Sequence, residues 1–132
     1  MRLATAYTSR MNGFIYVALG GAIGAMGRYG LALALGAGAT ATLGVNILGS
    51  AVLGFLTAFG ETRSWPGEDA LYLFLAVGVL GAFTTFSAFS KETVHMISEG
   101  DMLKALVYIL ANVIGSVGAF AIAFFALRQV LS

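Results

Sequence analysis

Two asparagines, Asn46 and Asn112, interrupt long apolar stretches, and each stands at the centre of a stripe of polar residues spaced by four. Thr42, Asn46 and Ser50 make one stripe, and Tyr108, Asn112 and Ser116 make the other. On a helix this spacing puts the side chains on one face, so each stripe presents a row of amides and hydroxyls. In lipid such a row either glues helices together, at about 0.6 kcal/mol per hydrogen bond, or lines a hydrated path. A third group lies in "LGAFTTFSAFS", Leu80 to Ser90, where Phe83, Phe86 and Phe89 recur every third residue between Thr84, Thr85, Ser87 and Ser90. An aromatic ring is negative on its face and positive at its edge. Ring edges and hydroxyls together can therefore solvate a small anion where water is scarce; ordinary packing of the rings is the alternative.

The charged residues narrow the chemistry. Arg28 is the one charge in the run 14–35, and no Asp or Glu falls in 14–35, 42–59, 70–90 or 103–127. Proton-coupled pumps and cation exporters rely on an intramembrane carboxylate, and Glu92 reads as standing only at the edge of a span. A lining of amides, hydroxyls and ring edges with a single arginine suits an anion better than a cation. His95 reads as an interfacial residue, since a lone histidine makes no metal site. Gly81, followed by Thr84 and Thr85, marks a place where a helix can break and free its carbonyls, which is tolerated in a membrane only when the backbone is buried in protein or faces a cavity. Freed carbonyls are hard oxygen ligands able to hold a cation such as sodium, as discontinuous helices do.

The elements that must position these groups follow from composition. Of 132 residues, 59% are hydrophobic and 10% charged, against about 25% charged in a soluble domain, so the chain reads as a membrane protein. Cysteine is absent, which excludes a disulfide scaffold or a thiolate site. The net charge of +1 offers no basic patch for nucleic acid. A span needs about 20 apolar residues, about 17 at the short end. Four runs qualify, giving one domain over 1–132 with spans at about 14–35, 42–59, 70–97 with a break near 81–85, and 103–127. The connections at 36–40, 60–69 and 98–101 are too short for a soluble catalytic domain.

Four spans put both ends and the 60–69 loop on one side with Arg2, Arg10, Arg63 and Arg128, and leave Lys91, Lys104 and a snorkelling Arg28 for the other. Orientation follows the Lys/Arg bias, and four against three is almost none. Either one weakly biased orientation is adopted, or both insert and pair as an antiparallel dimer. Gly20 with Gly24, Ser50 with Gly54 and Ala111 with Gly115 are steps of small residues spaced by four, which let helix backbones approach closely.

Three stretches, "GGAIGAMGRYG" (Gly20–Gly30), "TLGVNILGS" (Thr42–Ser50) and "GAFTTFSAFSKE" (Gly81–Glu92), resemble in that order the motifs of the Fluc (CrcB-like) fluoride channels. The resemblance covers all four spans. It implies an all-α membrane protein with a broken third helix, assembled as an antiparallel dual-topology homodimer. Two fluoride pathways would flank a structural sodium ion at the dimer interface, held by the backbone carbonyls of Gly81 and Thr84 from both copies. Phe86 and Phe89 match the family's paired phenylalanines, Asn46 its second-helix asparagine and Arg28 its first-helix arginine. Tyr108 and Ser116 align with polar residues along the pathway, Asn112 shares their stripe, and Thr85 and Ser87 supply hydroxyls beside the rings. Phe83 falls where the family varies and is expected to be packing.

The function implied is a passive, fluoride-selective channel in the inner membrane, exporting cytoplasmic fluoride, with lipid and a second copy as its partners and no enzymatic step. Two other readings stay open at this point. A small dual-topology multidrug exporter shares the size and charge balance but uses a carboxylate in the first helix. A structural membrane subunit packing through its glycines would tolerate exchange of Asn46, Phe86 and Phe89.

Overall fold

A computed structural model describes residues 2–62 and 69–131, with side chains from residue 12 onward. Arg63 and most of the 60–69 connection lie outside the described residues, as do the side chains of Arg2 and Arg10. Helices joined by short turns make up the described residues, and four are long and apolar enough to cross a membrane: Asn12–Ala34, Ala39–Thr62, Ala70–Ser98 and Met102–Leu131. The first of them continues a helix that begins at Arg2. Each is somewhat longer than its apolar run, because polar flanking residues continue the helical hydrogen bonding beyond the run.

The reversal after the first helix is made by three consecutive residues in the left-handed region, Gly36, Ala37 and Gly38, with φ of 86°, 55° and 89°. The turn before the last helix uses Gly100 at φ 86°. Glycine adopts this region without the Cβ clash that other residues suffer.

The third span is not uniform. Asp69 caps its start, its side chain accepting from the Leu71 N–H at 2.8 Å. Leu73–Leu80 is π-helical, and Gly81–Phe83 returns to α-helix. Thr84 (ψ 157°) and Thr85 (φ −149°, ψ 118°) are extended, and helix resumes over Phe86–Ser98. Gly81 itself is helical, with φ −62° and ψ −36°. The interruption therefore falls on the two threonines, which are β-branched and good N-caps. Thr85 fills the cap position, its Oγ1 accepting from the Ala88 N–H at 3.2 Å.

The second and last helices pack along each other, and the first packs along the π-helical stretch. Glycine makes both contacts possible. A Cβ at Gly20 would collide with the Phe74 carbonyl oxygen, one at Gly24 with that of Val79, and one at Gly54 with that of Phe120. Gly78, from the other side, leaves room for Gly20. With no hydrophobic drive between helices in lipid, such backbone approach is what holds them. Gly24→Ala is accordingly expected to destabilise the fold by roughly 1–3 kcal/mol. A lower thermal midpoint in detergent checks this, and an unchanged midpoint would contradict it.

Little of the chain is interior. One small cluster joins Phe89, Met96, Ala105 and Tyr108, with Ala39, Leu43 and Ile109 against it. Most large apolar side chains, among them Phe14, Met26, Val117 and Ile122, are exposed on the protomer.

Candidate functional site

The threonine interruption is tied to the second helix by one side chain. Asn46 Oδ1 accepts from the Thr85 N–H at 2.8 Å, and Asn46 Nδ2 donates to the Thr85 carbonyl at 3.1 Å. The amide thus pairs with both backbone groups of Thr85, as a neighbouring strand would. The second Nδ2 proton goes to Asn112 Oδ1 at 3.1 Å, and Asn112 Nδ2 donates to the Tyr108 carbonyl at 3.2 Å. The two polar stripes therefore meet face to face at their asparagines. Asn112 is buried and Asn46 half-buried.

Beside this junction lies a hollow of about 310 Å³, lined by Asn46, Ser50, Thr84, Thr85, Phe86, Phe89, Asn112 and Ser116 together with Leu53, Val113 and Val117. A second hollow of about 240 Å³, bounded by Ser50, Ser116, Val117 and Phe120, shares three of these residues and extends the trough along the seam of the second and last helices. The Ser116 hydroxyl is buried with no hydrogen-bond partner among the described residues. An unsatisfied buried hydroxyl costs about 1–3 kcal/mol, so this group is poised to donate to whatever occupies the trough.

The rings close the other end. Phe86 and Phe89 have centroids 5.2 Å apart with planes tilted by 56°. Phe89 lies 5.5 Å from the Tyr108 ring, tilted by 45°. Beyond Tyr108 opens a wider vestibule of about 690 Å³, bounded by residues that include Asp101, Lys104, Val107, Tyr108 and Ala111. The Phe89–Tyr108 contact thus stands between vestibule and trough. The three phenylalanines do not share one face. Phe83 precedes the interruption and packs against Gly27 and Gly49, whereas Phe86 and Phe89 follow it and pair.

Besides Tyr108, which lines the vestibule, two expected members stand apart from the trough. Arg28 lines a different hollow of about 240 Å³, with Thr42, Thr85 and Glu92. The extended Thr85 contributes to both hollows. Ser87 is exposed, its hydroxyl 3.2 Å from that of Thr85.

Glu92 does more than sequence reasoning assigned to it. It lies two residues past the apolar run 70–90 and six before the helix ends at Ser98. Its carboxylate ties three elements together: Thr42 Oγ1 donates to Oε1 at 2.9 Å, and the Tyr108 hydroxyl donates to Oε2. The spacing Thr42–Asn46 and Tyr108–Asn112 signalled the faces, but no local pattern showed that an acid from a third helix would bridge them. His95 is exposed and has Glu99 beside it, Nε2 to Oε1 3.3 Å. Among the described residues, no group of His, Cys, Asp or Glu side chains is placed to hold a metal ion.

Four apolar helices of spanning length, with an open trough that amides, hydroxyls and two phenylalanines line together with apolar side chains, define a multi-pass membrane protein. Residues 15–124 match the family described as CrcB-like protein, Camphor Resistance (CrcB), and the chain belongs to that family. It is 48% identical over 111 residues to the protein of Idiomarina loihiensis named Fluoride-specific ion channel FluC, covering 80% of this chain and 84% of that one. The identically named protein of Hyphomonas neptunium is 42% identical over 127 residues, covering 92% of this chain and 100% of its own. That of Thermus thermophilus is 47% identical over 103 residues, covering 74% and 81%.

Proposed function

We propose that this chain forms a passive, fluoride-selective channel in the inner membrane, as two copies in antiparallel orientation, and exports cytoplasmic fluoride. The observation that carries the reading is the trough in which the unpartnered Ser116 hydroxyl and the asparagine pair stand beside Phe86 and Phe89. The names of the relatives support the choice of ion.

Fluoride enters cells as the neutral acid and is trapped as the anion near neutral pH. An open passage lets an inside-negative potential expel it, with about 2.3 kcal/mol per charge per 100 mV. Along the passage the vestibule presents Lys104, 3.8 Å from the Asp101 carboxylate, and Tyr108 leads to the rings. The positive edges of Phe89 and Phe86 replace water over the narrow part, and the Ser116 hydroxyl donates beyond them. Glu92, with both oxygens accepting hydrogen bonds, acts as a tether for Thr42 and Tyr108 and not as a proton carrier. No covalent step is involved.

Only 6% of the apolar window of the last helix is buried within the protomer, which leaves its face open to lipid or to a second copy. Phe86 is 76% exposed on a protomer, so a second copy is needed to enclose the passage at that ring. The weak charge bias allows both orientations to insert, which supports the antiparallel arrangement. Addition of two or three lysines to one terminus is expected to fix orientation and abolish flux until an oppositely fixed copy is supplied; liposome flux from one fixed form alone would contradict it.

The broken third helix fits a structural sodium ion. In a continuous helix the Thr85 N–H would bond the Gly81 carbonyl and the Ala88 N–H that of Thr84. Here Thr85 donates to Asn46 and Ala88 to the Thr85 hydroxyl, so both carbonyls are left as hard oxygen donors. Bound there, sodium would supply a fixed positive charge joining the two copies.

A drug exporter of this size uses a carboxylate in its first helix, and residues 12–34 contain none. A structural subunit leaves the unsatisfied Ser116 hydroxyl without a purpose. Expression in a bacterial strain lacking its own fluoride exporter, grown with fluoride at mildly acidic pH, is expected to restore growth. No recovery, with the protein present in the membrane, would count against the proposal.

A further inference from the structure

Gly49 stands three residues after Asn46 on the second helix and is buried. A Cβ at this position would collide with Thr84 Cγ2 and lie 3.1 Å from Phe83 Cδ1, closer than the roughly 3.5–4.0 Å at which carbon atoms rest. The γ-methyl of Thr84 thus occupies the space a side chain at 49 would take. Thr84 is not free to turn away, because its hydroxyl donates to the Leu80 carbonyl at 3.0 Å. The second helix therefore holds the 84–85 interruption at two points about one turn apart: the Asn46 amide grips Thr85, and the bare backbone of Gly49 seats Thr84.

We propose that Gly49 is a positioning residue for permeation. Its missing side chain sets how closely the interruption docks on the second helix, and with it the placement of the Phe86 ring and of the Gly81 and Thr84 carbonyls. The consequence for flux rests on the channel reading; the contact itself does not.

The contact is a match of sizes, which gives it a specific test. Thr84→Ser deletes Cγ2 and retains the hydroxyl, so it removes the collision a methyl at 49 would make and leaves only the Phe83 ring, 3.1 Å away, to give slightly. Gly49→Ala, Thr84→Ser and the double variant would be purified and compared by fluoride efflux from liposomes and by thermal midpoint in detergent. Gly49→Ala is expected to lower efflux at least about tenfold, since a shift of about 1 Å in a positioned group can cost on the order of 10²-fold. Thr84→Ser serves only as the single-variant reference, and the double variant is expected to recover both efflux and midpoint relative to Gly49→Ala. Unchanged efflux in Gly49→Ala, or a double variant no better than Gly49→Ala, would overturn the proposal. If Gly49→Ala gives no folded protein, recovery of monodisperse protein in the double variant supports the seat, and failure of both overturns it. Should the unsubstituted protein carry no fluoride, the channel reading falls while the midpoints still decide the contact.

Discussion

Phe86→Ile and Phe89→Ile are each expected to cut fluoride flux by roughly tenfold or more while the protein still folds. Isoleucine keeps an apolar side chain of moderate size but has no positive ring edge, so an anion crossing the narrow part loses its replacement for water. The two positions separate this effect from packing. Phe86 is 76% exposed on the protomer and Phe89 only 9%. Loss of flux in Phe86→Ile with an unchanged protomer fold therefore reports on the ring edge. Phe89→Ile also removes the contact with Tyr108 at 5.5 Å and is expected to lower the thermal midpoint as well. Normal flux in both variants, measured in liposomes, would remove the ring edges from the mechanism.

The second large effect is expected at Asn46. Asn46→Leu deletes three hydrogen bonds at once, two to the Thr85 backbone and one to Asn112. Each buried polar group left unpaired costs about 1–3 kcal/mol, and in lipid no water is at hand to take over. Flux and thermal midpoint should fall together. Asn46→Asp is subtler: the remaining oxygen still accepts from the Thr85 N–H, but the ionised side chain has no proton for Thr85 or Asn112. It turns an oxygen toward two acceptors and adds a negative charge beside the path, so anion flux should be lost by more than the stability change alone explains. Unimpaired flux in Asn46→Asp, at an unchanged midpoint, would place Asn46 outside the passage and outside the junction.

The trough was largely legible in the sequence because its groups obey helix periodicity. Thr42, Asn46 and Ser50, and Tyr108, Asn112 and Ser116, are rows spaced by four, and Asn46 and Asn112 meet in space as their shared pattern suggests. Helix number followed from apolar length alone. What lay hidden depended on contacts between distant segments. Glu92 looked marginal because the helix beyond it carries polar residues, yet two donors from two other helices draw it into the packing. Arg28 stood out as the one charge in its run, but nothing local showed that it would line a separate hollow with Glu92, joined to the trough through Thr85. Gly81 drew attention as a breaker, whereas helical geometry lapses three residues later, where Thr85 exchanges its helical partner for Asn46.

Glycine carried a similar mixture. Gly20 and Gly24 were readable as a close-packing step, while their counterpart, the π-helical stretch around Gly78, has no sequence signature that periodicity could find. Gly49 sits in an ordinary apolar run, and its need for a bare backbone appears only once Thr84 is placed against it.

The central claim is fluoride-selective passage. Its most direct test is efflux from liposomes containing the purified protein, driven by a potassium gradient with valinomycin, with fluoride and chloride followed in parallel. Rapid fluoride efflux with no chloride efflux is the result expected. Equal efflux of both ions, or none of either from a well-behaved protein, would contradict it.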